Sequence, residues 1–256
     1  MYTRLHGSGE RLLVIVQPGD GDADGTEALV RELAKDRTMK DRTILTYDRR
    51  GLSRSPAGDG PVTIESHTDD LALMLAHKAR SAGRAQVDVL GISIGALIGL
   101  DLAARYPALV RTLVAYEPPL PQLLDDPEPF VAEQRQIEAG GLQRFLAFTG
   151  FDPADREPDA VLPRPGPDRA RNLEFFLTYD APAARRFRLY LEPLTRDTVV
   201  PAMGRSSRGR LHAAPVEALA RLLGTEPVEF EGGHSAHVFR PKAFARTLTE
   251  VLTSRG

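Results

Sequence analysis

The sequence predicts an α/β fold: a doubly wound, mostly parallel sheet with an inserted helical lid. Three observations carry that prediction. Short apolar runs, too brief for helices, alternate with amphipathic helical text. One such run, Val87-Asp88-Val89-Leu90, stops at Gly91 and passes through Ser93 and Gly95 directly into a helix. Between residues 120 and 197 the strand pattern disappears and proline and acidic residues punctuate helical pieces.

Leu12-Leu13-Val14-Ile15-Val16 is continuously apolar, which predicts a strand covered on both faces. The glycine- and aspartate-rich residues 17–25 read as a turn. Leu29, Val30 and Leu33 then predict a helix over 26–36. A second strand, Thr43-Ile44-Leu45-Thr46-Tyr47, runs into a polar loop over 48–55. A helix follows over 67–79, with Leu71, Met74 and Leu75 on one face. The helix after Gly95 runs to about Tyr106 and is stopped by Pro107. Arg111-Thr112-Leu113-Val114-Ala115-Tyr116 is the next strand, closed by Glu117-Pro118-Pro119. Strand and helix alternating at this spacing make the sheet mostly parallel. Helical pieces over 130–139, 142–149, 168–178 and 183–191 predict a lid spanning 120–196, inserted in a core of 1–119 and 197–256. The core resumes with strands over 198–203 and 227–230, a helix over 215–223 between them, and a closing helix over 241–252.

A chain of 256 residues suits one large α/β domain or one domain with an insertion. With 42% hydrophobic and 27% charged residues, the composition is that of a soluble globular protein. A formal net charge of −2 argues against a general nucleic-acid binder or one for anionic membranes. The count of 0 cysteines excludes disulfides, thiolate catalysis and cysteine-zinc sites. No apolar run reaches spanning length and the first residues lack the apolar core of a secretion signal, so a cytoplasmic location is expected. Arginine far outnumbers lysine, which points to a high-GC bacterial genome.

Gly91-Ile92-Ser93-Ile94-Gly95 sits between strand and helix, the context in which this spacing carries chemistry. The turn strains the serine backbone and lifts its hydroxyl to the carboxyl edge of the sheet. Helix-start amides beneath it can stabilise an oxyanion. The alternative is that small residues merely let a helix pack closely on a strand.

With Tyr47-Asp48-Arg49-Arg50-Gly51-Leu52-Ser53-Arg54-Ser55 upstream and Gly232-Gly233-His234 before the final helix, the chain resembles the α/β-hydrolase family over nearly its whole length outside the lid. The resemblance implies the chain order serine, acid, histidine. It also implies attack by Ser93 on a carbonyl carbon, His234 as general base, and an acyl-enzyme that water hydrolyses. His237 is the second choice for the base, while His6, His67, His77 and His212 read as exposed. The oxyanion donors would be the backbone N–H groups of Ile94 and of Asp20, with Gly19 behind it. Where the family commonly shows a His-Gly pair, this chain has Gln17-Pro18-Gly19-Asp20, so Pro18 replaces the histidine and cannot donate.

The acid departs from the usual family position, because the loop Gly204-Arg205-Ser206-Ser207-Arg208-Gly209 has no carboxylate. Some relatives, haloalkane dehalogenases among them, carry it after the strand that follows the nucleophile helix, which here selects Glu117. Asp197 is a distant alternative. The Asp48-Arg49-Arg50 cluster is expected to shape the loop under the nucleophile.

Phe145, Phe148 and Phe176 are the expected substrate contacts, among lid aromatics that include Phe130, Phe151, Phe175 and Tyr179. They favour a medium-sized, partly apolar ester, lactone or thioester. The expected partner is a small-molecule substrate, with a homodimer left open. No cofactor or metal is expected, since no histidine-carboxylate set has ligand spacing and no phosphate-cradling loop occurs. Three functions fit: a serine hydrolase, a non-hydrolytic enzyme of the same fold for cyclisation or C–C cleavage, and a catalytically silent binding protein.

Overall fold

The computed structural model describes residues 1–82, 86–150, 152–162 and 166–255. Phe151, one of the expected lid aromatics, lies outside them. Seven strands form one sheet: β1 (Thr3–His6), β2 (Arg11–Val16), β3 (Arg42–Tyr47), β4 (Val87–Ile92), β5 (Val110–Tyr116), β6 (Val199–Gly204) and β7 (Val228–Phe230). Their spatial order is β1-β3-β2-β4-β5-β6-β7, and β2 to β7 are parallel.

Strand β1 was not anticipated from sequence. It pairs antiparallel with β3, from Thr3↔Tyr47 to His6↔Ile44. Its four residues carry no apolar run, so the open edge of β3, rather than a local pattern, makes it a strand.

Burial on both faces explains the continuous apolar text of β2. Leu12, Val14 and Val16 enter the core shared with α2 (Ile64–Ala82) and α3 (Ile94–Arg105). Leu13 and Ile15 enter the opposite core with Leu29 and Leu33 of α1 (Glu27–Lys35) and Phe244 and Leu248 of α9 (Pro241–Ser254), the helix that follows α7 (Ala214–Leu223) and the short α8 (Ala236–Phe239).

Among the described residues, the chain between β5 and β6 contains no strand. Its main helices are α4 (Glu128–Thr149), α5 (Arg169–Phe175) and α6 (Ala181–Arg186), with a wide π turn over Phe176–Asp180 joining the last two. The pieces expected at 130–139 and 142–149 are both helical, and they are separated within α4 by a kink at Gly141, whose φ of 64° and ψ of −150° break the helical path. The helix expected over 183–191 ends instead at Arg186. Phe187 turns inward and is buried in the core, while Arg188 donates to the carbonyls of Arg185, Arg186 and Phe187 and so satisfies the helix end.

Buried polar ties fasten this segment to the sheet side. Asp180 accepts from Arg49 Nη2 at 3.0 Å and lies 2.9 Å from His67 Nε2. Burial would raise the Asp180 carboxyl, but the His67 hydrogen bond and the Arg49 charge hold it below its ordinary value. His67 is therefore a buried anchor, which corrects the expectation that it is exposed. Asn172 exchanges hydrogen bonds with Ser53, accepting from its N–H and donating to its Oγ, both at 2.8 Å. Glu157 accepts from the first amides of α9. No helix among the described residues is long and apolar enough to cross a membrane.

Candidate active site

Ser93 occupies the bend between β4 and α3 with φ 55° and ψ −119°, a region that costs a side-chain-bearing residue about 1–3 kcal/mol. Its N–H donates to Tyr116 O at 2.8 Å, and its hydroxyl does not cap the helix it precedes. The flanking glycines permit the bend. A Cβ at Gly91 would stand 2.6 Å from Gly95 O, and one at Gly95 would stand 2.1 Å from Val16 O. Ile94 is the first residue of α3, so its amide has no partner within the helix and lies at the positive end of the dipole.

Glu117 ends β5 and is also held at positive φ, 48°, with its N–H bonded to Ala202 O at 2.9 Å. Its side chain is 2% exposed. Oε1 accepts from the Gly204 amide at 2.8 Å, and Oε2 lies 2.6 Å from His234 Nδ1. Burial alone would raise this carboxyl. The His234 hydrogen bond, the charges of His234 and His212 and the Gly204 amide together bring it below its ordinary value. The loop after β6, which lacks a carboxylate of its own, thus supplies a backbone donor to the acid from the neighbouring strand. Asp197 is exposed before the start of β6, at the opposite end of that strand.

The histidine loop is clamped from below. Tyr116 donates its hydroxyl to Gly233 O at 2.6 Å, and its ring is held edge-on by Phe230 and Phe244. With Nδ1 on the carboxylate, Nε2 of His234 is the ring nitrogen left to act as a base. Ser93, Ile94, Glu117 and His234 all line one cavity of about 590 Å³, its mouth included.

Four phenylalanines form the apolar walls of that cavity: Phe130, Phe145, Phe148 and Phe176. Gln134, Glu138 and Thr149 add polar groups, with Glu138 bonded to Arg185. Phe175 and Tyr179 are not part of it. They stack on each other at 4.8 Å, and Phe175 fills the space that a side chain at Gly51 would need.

The turn after β2 is held by Arg49, which is 1% exposed and donates to the carbonyls of Gln17 at 2.7 Å and Gly19 at 2.5 Å. Asp20 is not among the residues lining the cavity; its carboxylate pairs with Arg169 at 3.3 Å. Gly19 lies against the Phe176 ring. Asp48 accepts from the Ala23 amide and from Arg54. The Asp48-Arg49 pair therefore shapes the loops beneath the site.

Sequence reasoning missed His212. It was read as exposed, but it is 4% exposed, lines the cavity, and places Nε2 3.6 Å from Glu117 Oε2. Burial pushes it down to about 4. It stands in the short turn Leu211–Ala213, and no spacing in the chain connects it to residues 117 and 234. His237 is buried near Phe244 and outside the cavity, and burial pushes it down to about 3.

The sequence profile of the alpha/beta hydrolase family matches residues 5–247. An uncharacterized hydrolase of Bacillus subtilis is 30% identical over 98% of this chain and 92% of its own length. Solved structures share the fold. The enol-lactonase from Burkholderia xenovorans LB400 superposes with a TM-score of 0.64 at 22% identity, covering 98% of this chain and 96% of its own. The bromoperoxidase from Bacillus anthracis reaches 0.70 at 19% identity, covering 98% and 95%. A profile that spans nearly all of the sequence, and a relative aligned end to end, make this chain a member of the alpha/beta hydrolase family.

Proposed function

We propose that the chain is a serine hydrolase that cleaves a carboxylic ester, lactone or thioester of a medium-sized, partly apolar small molecule. The observation that carries the reading is the strained Ser93 in one cavity with a His234 imidazole whose Nδ1 is 2.6 Å from the buried Glu117 carboxylate. His234 Nε2 takes the Ser93 proton as Oγ attacks the carbonyl carbon. Glu117 fixes the tautomer and stabilises the imidazolium that results. The Ile94 amide at the start of α3, and a second amide from the turn holding Asp20 and Gly19, receive the oxyanion. His234 returns the proton to the leaving group, and water activated by the same nitrogen then hydrolyses the acyl-enzyme.

Residues 120–196 serve as a lid over the core formed by 1–119 and 197–256. Phe145, Phe148 and Phe176 contact the substrate, and the four phenylalanine walls favour an apolar acyl or alkyl group. A fluorophosphonate probe tests the assignment. One adduct is expected, at Ser93, and Ser93→Ala should lose both the adduct and p-nitrophenyl ester turnover by about 10⁴-fold or more. Labelling that persists in folded Ser93→Ala, or no labelling of the folded wild type, overturns it.

A further inference from the structure

We propose that Glu117, His212 and His234 form a binding site for one divalent transition-metal cation of the Zn²⁺ class, and that a bound cation silences the hydrolase site. The effect on turnover rests on the serine hydrolase reading above; the binding does not. One ligand atom from each residue lies within 4.8 Å of the other two, and all three residues are buried. Each also lines the cavity, so a cation has a path in and water can complete its coordination.

The second observation is the state of His212. Its ring packs edge-on against Phe148 at 5.5 Å, and its Nε2 is buried with no hydrogen-bond partner. With its proton on Nδ1, the ring would present an Nε2 lone pair to the Glu117 carboxylate at 3.6 Å. A lone pair facing a buried anion is an unfavourable contact that a cation between them converts into two bonds. Two imidazole nitrogens and one carboxylate oxygen are also the donor set that suits Zn²⁺ with an open fourth position.

Ligand bonds of about 2.0–2.2 Å put neighbouring donors roughly 3.3 Å apart in a tetrahedral site. The 3.6 Å separation of His212 and Glu117 already fits. The 2.6 Å separation of His234 Nδ1 and Glu117 must widen by about 0.7 Å on binding. Binding therefore releases the Nδ1 proton to solvent, and His234 loses the hydrogen bond that orients it. The linear sequence hides this site, because its ligands come from the end of a strand, a short turn and a loop.

The test uses the full-length protein with Zn²⁺ and with Co²⁺ as its coloured stand-in. Ser93→Ala should bind one Co²⁺ with the visible absorption of a four- or five-coordinate ion, and Zn²⁺ should displace it. Both His212→Asn and His234→Asn, checked for folding by circular dichroism, should weaken Zn²⁺ binding at least about a hundredfold, the upper end of what losing outer-sphere support costs. In the wild type, Zn²⁺ should inhibit ester turnover over the concentration range in which it binds, and chelation should reverse it. Absence of one-to-one binding, or a folded His212→Asn that binds within about threefold of wild type, overturns the site. Binding as stated in a protein with no Ser93-dependent turnover keeps the site and sinks the hydrolase reading; Ser93-dependent turnover without binding does the reverse.

Discussion

The carboxyl edge of the sheet and the helical segment above it are positioned by different means. At the edge, the main chain does the positioning. Ser93 and Glu117 both adopt positive φ, and their amides bond to the carbonyls of Tyr116 and Ala202 on the adjacent strands. The register of β4, β5 and β6 therefore fixes where both side chains begin. The helical segment is instead tied to the core by side chains: Asp180 to Arg49 and His67, Asn172 to Ser53, and Glu157 to α9. Chemistry is thus specified by backbone geometry, which tolerates few substitutions. The cavity walls are specified by packing and a few buried ties, which can be changed one at a time.

The comparison breaks most visibly at Glu117. Glu117→Gln keeps the shape but turns a donor toward His234 Nδ1 and imposes the wrong tautomer, so kcat for p-nitrophenyl acetate should fall by about 10⁴-fold while the fold persists. A fall of less than tenfold would remove Glu117 from the machinery and leave the edge without an acid. The next largest effect is on the ties. Asp180→Asn strips the carboxylate that faces both Arg49 and His67, and breaking a buried ion pair costs about 3–5 kcal/mol. Chemical denaturation measures it. Because Arg49 also holds the turn at Gln17 and Gly19, turnover should suffer as well. A loss of under 1 kcal/mol would mean that packing alone seats the helices.

Phe145→Ala sharpens the same contrast at smaller amplitude. Its ring stands on the cavity wall, edge-on to Phe176 at 5.8 Å and to His234 at 6.4 Å. Specificity, measured as kcat/KM for a p-nitrophenyl butyrate relative to the acetate, should drop by about 10- to 100-fold. Fluorophosphonate labelling of Ser93 should persist, because the edge is built without that ring. Equal losses on both esters would place Phe145 in the edge rather than in the wall.

What the sequence made legible follows the same division. Ser93, Glu117 and His234 could be expected at one edge because the first two stand directly after a strand and the third in the loop after β7, where local pattern and chain order locate the carboxyl edge. Strands β2 to β7 could be found because each is a short run rich in apolar and β-branched residues bounded by turn or helix text. The side-chain ties could not. His67 and His212 look like surface residues in linear text, and only the tertiary approach of Asp180 to one and of Glu117 to the other buries them. Strand β1 was invisible for a related reason, since it owes its conformation to the edge it pairs with. The early stop of α6 is decided by burial of Phe187, a long-range event.

Buried histidines give the smallest predicted effect and divide the two regions by pH. His212 at the cavity and His237 in the core are pushed by burial from an ordinary 6.5 to about 4 and about 3. Their folded values lie below the unfolded one, so each contributes stability that is complete above pH 6.5. That stability is lost as pH falls through the window between the two values, because the unfolded chain takes up the proton first. Glu117 and Asp180 are also lowered, but their contribution begins to fade only at their ordinary values of 4.5 and 3.8, which leaves the upper part of the histidine window clear. Each histidine should cost about 1 kcal/mol between pH 6.5 and 5.5. His237→Gln should remove about one proton from the slope of unfolding free energy against pH and leave ester specificity alone, since the ring does not reach the cavity. His212→Asn should remove a similar share and, unlike His237→Gln, change the pH profile of turnover, because its ring faces the carboxylate that orients His234. If both variants changed only the stability slope, His212 would belong with the core and not with the edge.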